Sequence, residues 1–459
     1  MRSKWYKYVL SSVIILCSTY AGGMVQDVHA QQAAQTREVS RSETEDLKWQ
    51  LKQMEETVRK QQEQIQAIKN RIETVGTETA QVGKEELKHA IEDYLSTDEA
   101  RKKMGLGLPS ATAVYTPDDE KYALSVRSPD DNYTLNLGGR LQFRYTYKDK
   151  DEDFKETDRQ DLSIRRARLY MGGNIYTKFI HYYVELDADK FNFGMRGFYI
   201  YVTPIEELNG KFGYFKVPFN RQRMTTSGKL LFQDRSIAND AFTQDRDYGV
   251  DLYGKPFDGY MEYHAAVFQG AGQDPKNWDN GDNIDNKLMY VLSVRYNPFG
   301  KYDYYDETDV KYSDKLKATI GASLAYNAKV VDEKLRDTDT VAGVVDLGVR
   351  YKGFTWDSDY FIRTEDPEGR GDTVDSDGFY TQAGYFVIPK KLEFAARYSM
   401  VDPNTDISND LQKEYTVGTN YYFRAHRSKI QADVGHYVTD TKDQDKEENR
   451  VRVQYQIIF

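Results

Sequence analysis

Cysteine is almost missing from this chain: the one example is Cys17, inside the apolar part of an N-terminal targeting segment. Arg2, Lys4 and Lys7 give that segment a positive start, Val9 to Leu16 is a short apolar run, and Val28-His29-Ala30 ends in a small residue suited to cleavage, the pattern of a secretory signal peptide over residues 1–30. The bulky Leu16 before Cys17 counts against a lipid-modified cysteine. Cleavage after Ala30 leaves a mature chain with no cysteine, which excludes disulfides and thiolate chemistry. Long apolar runs are missing too. No later segment reaches the roughly 18 consecutive apolar residues of a spanning helix, so an exported chain without a helical anchor is expected. The six histidines show no metal-ligand spacing, and no nucleophile elbow, phosphate-binding glycine loop or zinc motif occurs; enzymatic activity, a cofactor and a metal site therefore have no support. A formal net charge of −10 argues against a nucleic-acid partner but leaves the sign inside a local cavity open.

What is present is aromatic. The chain has 37 Tyr and 21 Phe against 11 Pro, an excess of strand-favouring residues. Organisation changes three times along it. Residues 31–42 are polar. Leu47, Leu51, Met54, Val58, Gln61, Ile65, Ile68, Ile72 and Val75 then recur at alternating spacings of four and three, a heptad seam that places a coiled-coil stalk within residues 31–80. Isoleucine at both seam positions favours three or more strands. Residues 81–131 read as a second helix and a linker, with a short strand over Tyr122–Arg127.

From residue 132 to the end the period is two. Leu135, Leu137, Gly139, Leu141, Phe143 and Tyr145 share one face of the first strand, opposite Asn136, Gly138, Arg140, Gln142 and Arg144. The last strand sets Val451, Val453, Tyr455, Ile457 and Phe459 against Arg450, Arg452, Gln454 and Gln456. About sixteen such segments recur, from one centred on Leu141 to one centred on Val453. Their connections are mostly tight on one side, as at Lys352-Gly353 and Pro389-Lys390, and long and Asp/Asn-rich on the other, as at Lys148–Gln160 and Gly270–Asn286. Asn297–Asp314 is a long connection on the short side. An even number of strands, one-sided loop lengths and an aromatic, apolar exterior indicate an all-β fold, a transmembrane antiparallel β-barrel of about 16 strands preceded by the helical stalk. At that size the lumen holds water.

One strand is unusually charged. Asp161–Gly173 (DLSIRRARLYMGG) carries Arg165, Arg166 and Arg168, and a run of cations in a strand needs water, an anion or a partner. Parity points Arg166 and Arg168 into the lumen, alongside Arg140 and Arg144 of the first strand. Strict alternation aims Arg165 at lipid, where a mid-depth arginine costs roughly 2 to 4 kcal/mol; a bulge, a place near the rim or a subunit interface would resolve this. Glu185, Asp187 and Asp189 share a parity on the next strand, able to pair with the arginines or to set a transverse field.

Ile164–Gly173 and the stretch Gly210–Gly249 (GKFGYFKVPFNRQRMTTSGKLLFQDRSIANDAFTQDRDYG) resemble the phosphate-selective porin O and P family of bacterial outer-membrane channels. That resemblance covers the barrel, including the terminal aromatic residue, and leaves out the coiled coil. It implies sixteen strands, a homotrimer and a third outer loop folded inward, for which Pro218–Arg246 is this chain's candidate. Matched by motif, the family's anion-contacting positions fall on Arg165 and Arg166 in the strand and on Arg223 and Arg235 in the loop. The chain departs from the family in its later outer loops, Lys329–Asp339 and Thr364–Ser376, which offer few arginines. The resulting expectation is an outer-membrane porin for small hydrophilic solutes that prefers anions such as phosphate, in contact with outer-membrane lipid, with the stalk periplasmic and reaching toward the cell-wall layer. A general or cation-tolerant porin and a structural tether between outer membrane and cell wall are the alternatives.

Overall fold

The computed structural model describes residues 48, 52–53, 55–56, 58–67, 112–115, 121–150, 158–189, 192–272, 287–330, 337–367, 371–442 and 444–459. The chain divides into two compact units, residues 1–107 and 108–459. In the first, residues 58–67 are helical, and the seam residues Val58 and Ile65 are exposed on that helix. The signal segment, the seam residues Leu47, Leu51, Met54, Ile68, Ile72 and Val75, and the second helix lie outside the described residues.

Among the described residues, the second unit has eighteen strands. Sixteen of them close a barrel: β3 (Thr134–Lys150), β4 (Arg159–Asn174), β5 (Ile180–Asp189), β6 (Asn192–Ile205), β7 (Leu208–Lys216), β8 (Arg246–Gly254), β9 (Met261–Phe268), β10 (Met289–Tyr296), β11 (Lys317–Val330), β12 (Asp337–Tyr351), β13 (Phe354–Pro367), β14 (Val374–Ile388), β15 (Leu392–Asp402), β16 (Gln412–Arg424), β17 (Ser428–Thr439) and β18 (Lys446–Ile458). Every strand pairs antiparallel with its sequence neighbours, and β18 returns to pair with β3 from Ile458↔Arg140 to Glu448↔Lys150. All sixteen segments expected from the alternation fall on these strands. β1 (Thr112–Tyr115) and β2 (Leu124–Arg127) form a hairpin laid on the first residues of β3; β1 falls in a stretch read from sequence as linker.

Alternation produces the layering. Along β18, Val451, Val453, Tyr455 and Ile457 face outward while Arg452, Gln454 and Gln456 are buried in the interior. Closure brings the terminal Phe459 onto Gly139, whose N–H donates to the Phe459 carbonyl at 2.6 Å. A Cβ at Gly139 would stand 2.6 Å from the Phe459 ring, so a larger residue there would push that ring aside. The short-side connections use left-handed residues where two-residue turns demand them: Lys352 (φ 48) and Gly353 (φ 81) make the primed turn that matches strand twist.

Among the described residues, two connections fold into the barrel. Residues 217–245, between β7 and β8, enter from the long-loop end and carry α1 (Arg221–Met224) and α2 (Ile237–Phe242). Phe219, Leu230, Leu231, Phe232 and Phe242 are each nearly fully buried there. This is the inward loop expected over Pro218–Arg246. Residues 297–316 are the long connection on the short side, and they too turn inward, burying Tyr302, Tyr304, Glu307 and Val310. The two meet: the Glu307 N–H donates to the Lys229 carbonyl at 3.2 Å, and the Leu231 N–H donates to the Glu307 carboxylate at 2.9 Å.

Candidate functional site

The inward loop lies against one wall of the barrel and leaves the other open. The covered wall is acidic. Asp346 on β12, Asp357 and Asp359 on β13, Glu393 on β15 and Glu414 on β16 face the interior and are almost completely buried. Arg221 of the loop, itself fully buried, ion-pairs with Asp357, reaches Asp359 at 3.4 Å and Asp346 at 3.8 Å. Arg350 holds Asp357 at 2.8 Å and Arg397 holds Glu414 at 2.6 Å. Glu414 also accepts from the Ile237 N–H of α2 at 3.0 Å. Carboxylates taken out of water require such partners; the wall supplies Arg350 and Arg397, and the loop that covers these acids adds Arg221 and the Ile237 N–H.

The open wall, β4 to β8, is cationic. Two cavities run along it. One, of about 360 Å³ on the long-loop side, is bordered by ten arginine or lysine side chains against three aspartates. The other, of about 420 Å³ toward the short-turn end, is bordered by eight basic side chains and one acid, Glu185. Arg168, Arg196, Lys216 and Arg246 border both. These four side chains line both cavities and mark where the two chambers adjoin, a junction called the neck below. Their positions are fixed by short contacts: Arg168 donates to Glu185 at 2.6 Å and to Asp187 at 3.0 Å, and Arg196 reaches Asp187 at 3.2 Å. Lys216 donates to the Met224 and Thr225 carbonyls at 2.9 and 3.1 Å, and Arg246 lies 3.5 Å from Asp245.

The residues singled out from sequence separate into groups. Arg165, Arg166, Arg168, Arg223 and Arg235 all border the outer chamber. Arg140 borders the inner chamber, where it donates to the hydroxyls of Thr226 and Ser227 at 3.0 and 2.8 Å. Arg144 borders neither; Asp234 at 2.5 Å, Gln454 and the Gln233 carbonyl engage its guanidinium. Arg223 is paired with Asp245, and Arg235 donates to the Gln222 and Thr225 carbonyls at 2.7 Å each. Asp234 is the shared counter-charge of the outer chamber, within 3.8 Å of Arg144, Arg165, Arg166 and Arg452. Burial in the loop would raise its carboxyl, but Arg144, Arg165, Arg452 and Arg166 outweigh that and hold it well below the usual carboxylate range.

Arg165 is resolved by a bulge. Gln142 pairs with Arg166 and Phe143 with Ile164, so Arg165 is the unopposed extra residue of β4. Its side chain joins the outer chamber and not the lipid face, as a bulge that re-aims a side chain allows. Sequence reasoning passed over Arg196 and Lys216. Arg196 is also a bulge residue, since Glu185 pairs with Gly197 and Leu186 with Met195. The available signal was an arginine between Gly194 and Gly197 in an otherwise apolar and aromatic strand, because strand glycines often mark bulges. Glu185 and Asp187 pair with the arginines, one of the two roles anticipated for them.

A closed barrel, an inward loop and a cationic junction between two cavities have the geometry of a diffusion channel. Among solved structures the chain is similar to the anion-selective porin from Comamonas acidovorans, at 12% identity and a TM-score of 0.51, over 71% of this chain and 99% of that one. It is similar also to the outer membrane channel DcaP of Acinetobacter baumannii, at 13% identity and a TM-score of 0.50, over 71% of this chain and 97% of that one. At these identities the likeness shows the fold. No curated protein sequence matches the chain. The family model described as phosphate-selective porin O and P matches residues 135–459, the whole barrel from its first strand to its terminal phenylalanine, and the chain belongs to that family of outer-membrane porins.

Proposed function

We propose that this porin passes small hydrophilic solutes by passive diffusion and prefers anions, phosphate among them. The observation that carries the reading is the neck of Arg168, Arg196, Lys216 and Arg246, on the wall that the loop leaves open while it covers the acids of β12 to β16. Rings of cations at a constriction favour anions, provided binding stays weak enough for release. Arginine serves this purpose at any relevant pH and offers a planar fork to phosphate oxygens. Arg165, Arg166, Arg223 and Arg235 collect anions in the outer chamber, the neck passes them, and Arg140 receives them below. Arg144 holds the loop through Asp234. The Comamonas relative is named as anion-selective, which supports the same direction here.

The assembly that fits is a homotrimer, as in the family, with the Leu47–Val75 seam as a trimeric periplasmic stalk that reaches toward the cell-wall layer. Inorganic phosphate added to the purified channel in potassium chloride tests the solute assignment. Millimolar phosphate should lower the chloride current, and an unchanged current would overturn the phosphate preference. Sedimentation of a fragment of residues 31–104 tests the stalk, for which a stable monomer is the contrary result.

A further inference from the structure

The lumen of a large barrel is ordinarily lined by polar side chains, yet four consecutive strands of the open wall carry aromatic residues into the inner chamber. Tyr170 on β4, Tyr183 on β5, Tyr199 on β6 and Phe215 on β7 all border it. Three of these rings form a row. Tyr183 and Tyr199 are directly paired across β5 and β6, with ring centroids 5.0 Å apart, and Tyr199 meets Phe215 edge-on at 5.9 Å. Gly197 also borders the chamber, and a Cβ there would lie 3.5 Å from the Tyr183 ring. Glycine thus leaves that flank of the ring without a side chain over it.

Cations frame this row on both sides. The ammonium of Lys121 stands 3.8 Å from the centroid of Tyr183, and that of Lys211 stands 4.8 Å from Phe215. The neck of Arg168, Arg196, Lys216 and Arg246 lies along the other margin. An inorganic anion would use the cations and gain nothing from the rings. A flat apolar body carrying one anionic group would use both, stacking on the tyrosines while its charge meets the lysines or the neck. Phe215 also packs on Phe268 at 5.2 Å and belongs to the barrel's inner core, so Tyr183 and Tyr199 are the residues that bear on the solute.

We infer that the inner chamber is a binding station for small aromatic anions, aryl carboxylates and aryl phosphates, and that these are favoured solutes of the channel. This rests on the anion-channel reading above. The test uses the full-length channel in planar bilayers, with benzoate against acetate and phenyl phosphate against inorganic phosphate as blockers of the chloride current. Each aryl anion should block at a concentration about three- to tenfold below its non-aromatic counterpart, the worth of one or two ring contacts. In Tyr183→Leu and Tyr199→Leu that ratio should fall toward one, and in Tyr199→Phe it should persist. The ratio is taken within each variant, so a change of conductance does not enter it. Equal block by aryl and non-aryl anions, or an aryl preference that survives both leucine substitutions, overturns the inference and leaves anion selectivity standing. A wild-type channel that favours cations overturns the underlying reading instead.

Discussion

Arg165 and Arg196 stand in the same relation to their strands: each is the extra, unopposed residue of a β-bulge, one on β4 and the other on β6, and both border the outer chamber. A bulge inserts one residue without a partner and turns it from its expected face. Two insertions on nearby strands thus add two arginines to the lumen beyond those that regular alternation supplies. Substituting either by glutamine removes a cation and keeps a polar side chain. The expected outcome is a drop of about twofold in the anion-to-cation permeability ratio for each, by loss of one charge from the field at the constriction. Reversal potentials of the two variants measure it, and an unchanged ratio in both would remove the bulges from the selectivity account.

Arg221 has the opposite role, since it faces buried carboxylates and not the solute. Arg221→Met would leave Asp346, Asp357 and Asp359 without their loop partner, and stranding buried charge costs about 3–5 kcal/mol. The loop should then leave the acidic wall. Single-channel conductance is expected to rise while anion preference falls, because acids now screened by the loop would face the lumen. A variant with wild-type conductance and selectivity would show that the loop is held by other contacts.

The clasp between the two inward connections runs through Glu307, which also ties it to β14. Glu307 accepts from the Leu231 N–H at 2.9 Å and from Gln382 at 3.0 Å. Glu307→Ala leaves those donors unsatisfied, which costs about 1–3 kcal/mol against the docked state. Rapid conductance fluctuations absent from the wild type are expected in current records. Equally quiet records would mean that the inner turn does not steady the loop.

Much of this arrangement was legible in the chain. Period-two alternation located all sixteen barrel strands, and parity alone placed Arg166 and Arg168 inside. Parity also failed where it had to. It assumes one residue per half-pleat, and the bulges at Arg165 and Arg196 break that count locally. The inner turn was visible only as a misplaced long connection; its buried Tyr302, Tyr304 and Val310 were the apolar signal that it packs inside. The pairing of Arg221 with acids on β12 and β13 had no sequence signal, because more than a hundred residues separate partners that only the closed barrel brings together.

Acid should reveal how firmly Asp234 is tied. Its carboxyl is held well below the usual range, so its contribution is complete above the unfolded value of about 3.9 and is lost as pH falls through the lower folded value. The difference in thermal midpoint between wild type and Asp234→Asn is expected to stay constant from pH 7 to about pH 4 and to close only in stronger acid. A difference that has vanished by pH 5 would contradict the four-arginine clamp.

Whether the open wall makes this porin anion-selective is decided by the reversal potential of the wild-type channel in a potassium chloride gradient. With the concentrated salt on one side of a planar bilayer, the zero-current potential should take the sign set by chloride moving down its gradient faster than potassium. A zero-current potential of the opposite sign, set by potassium, would contradict anion selectivity.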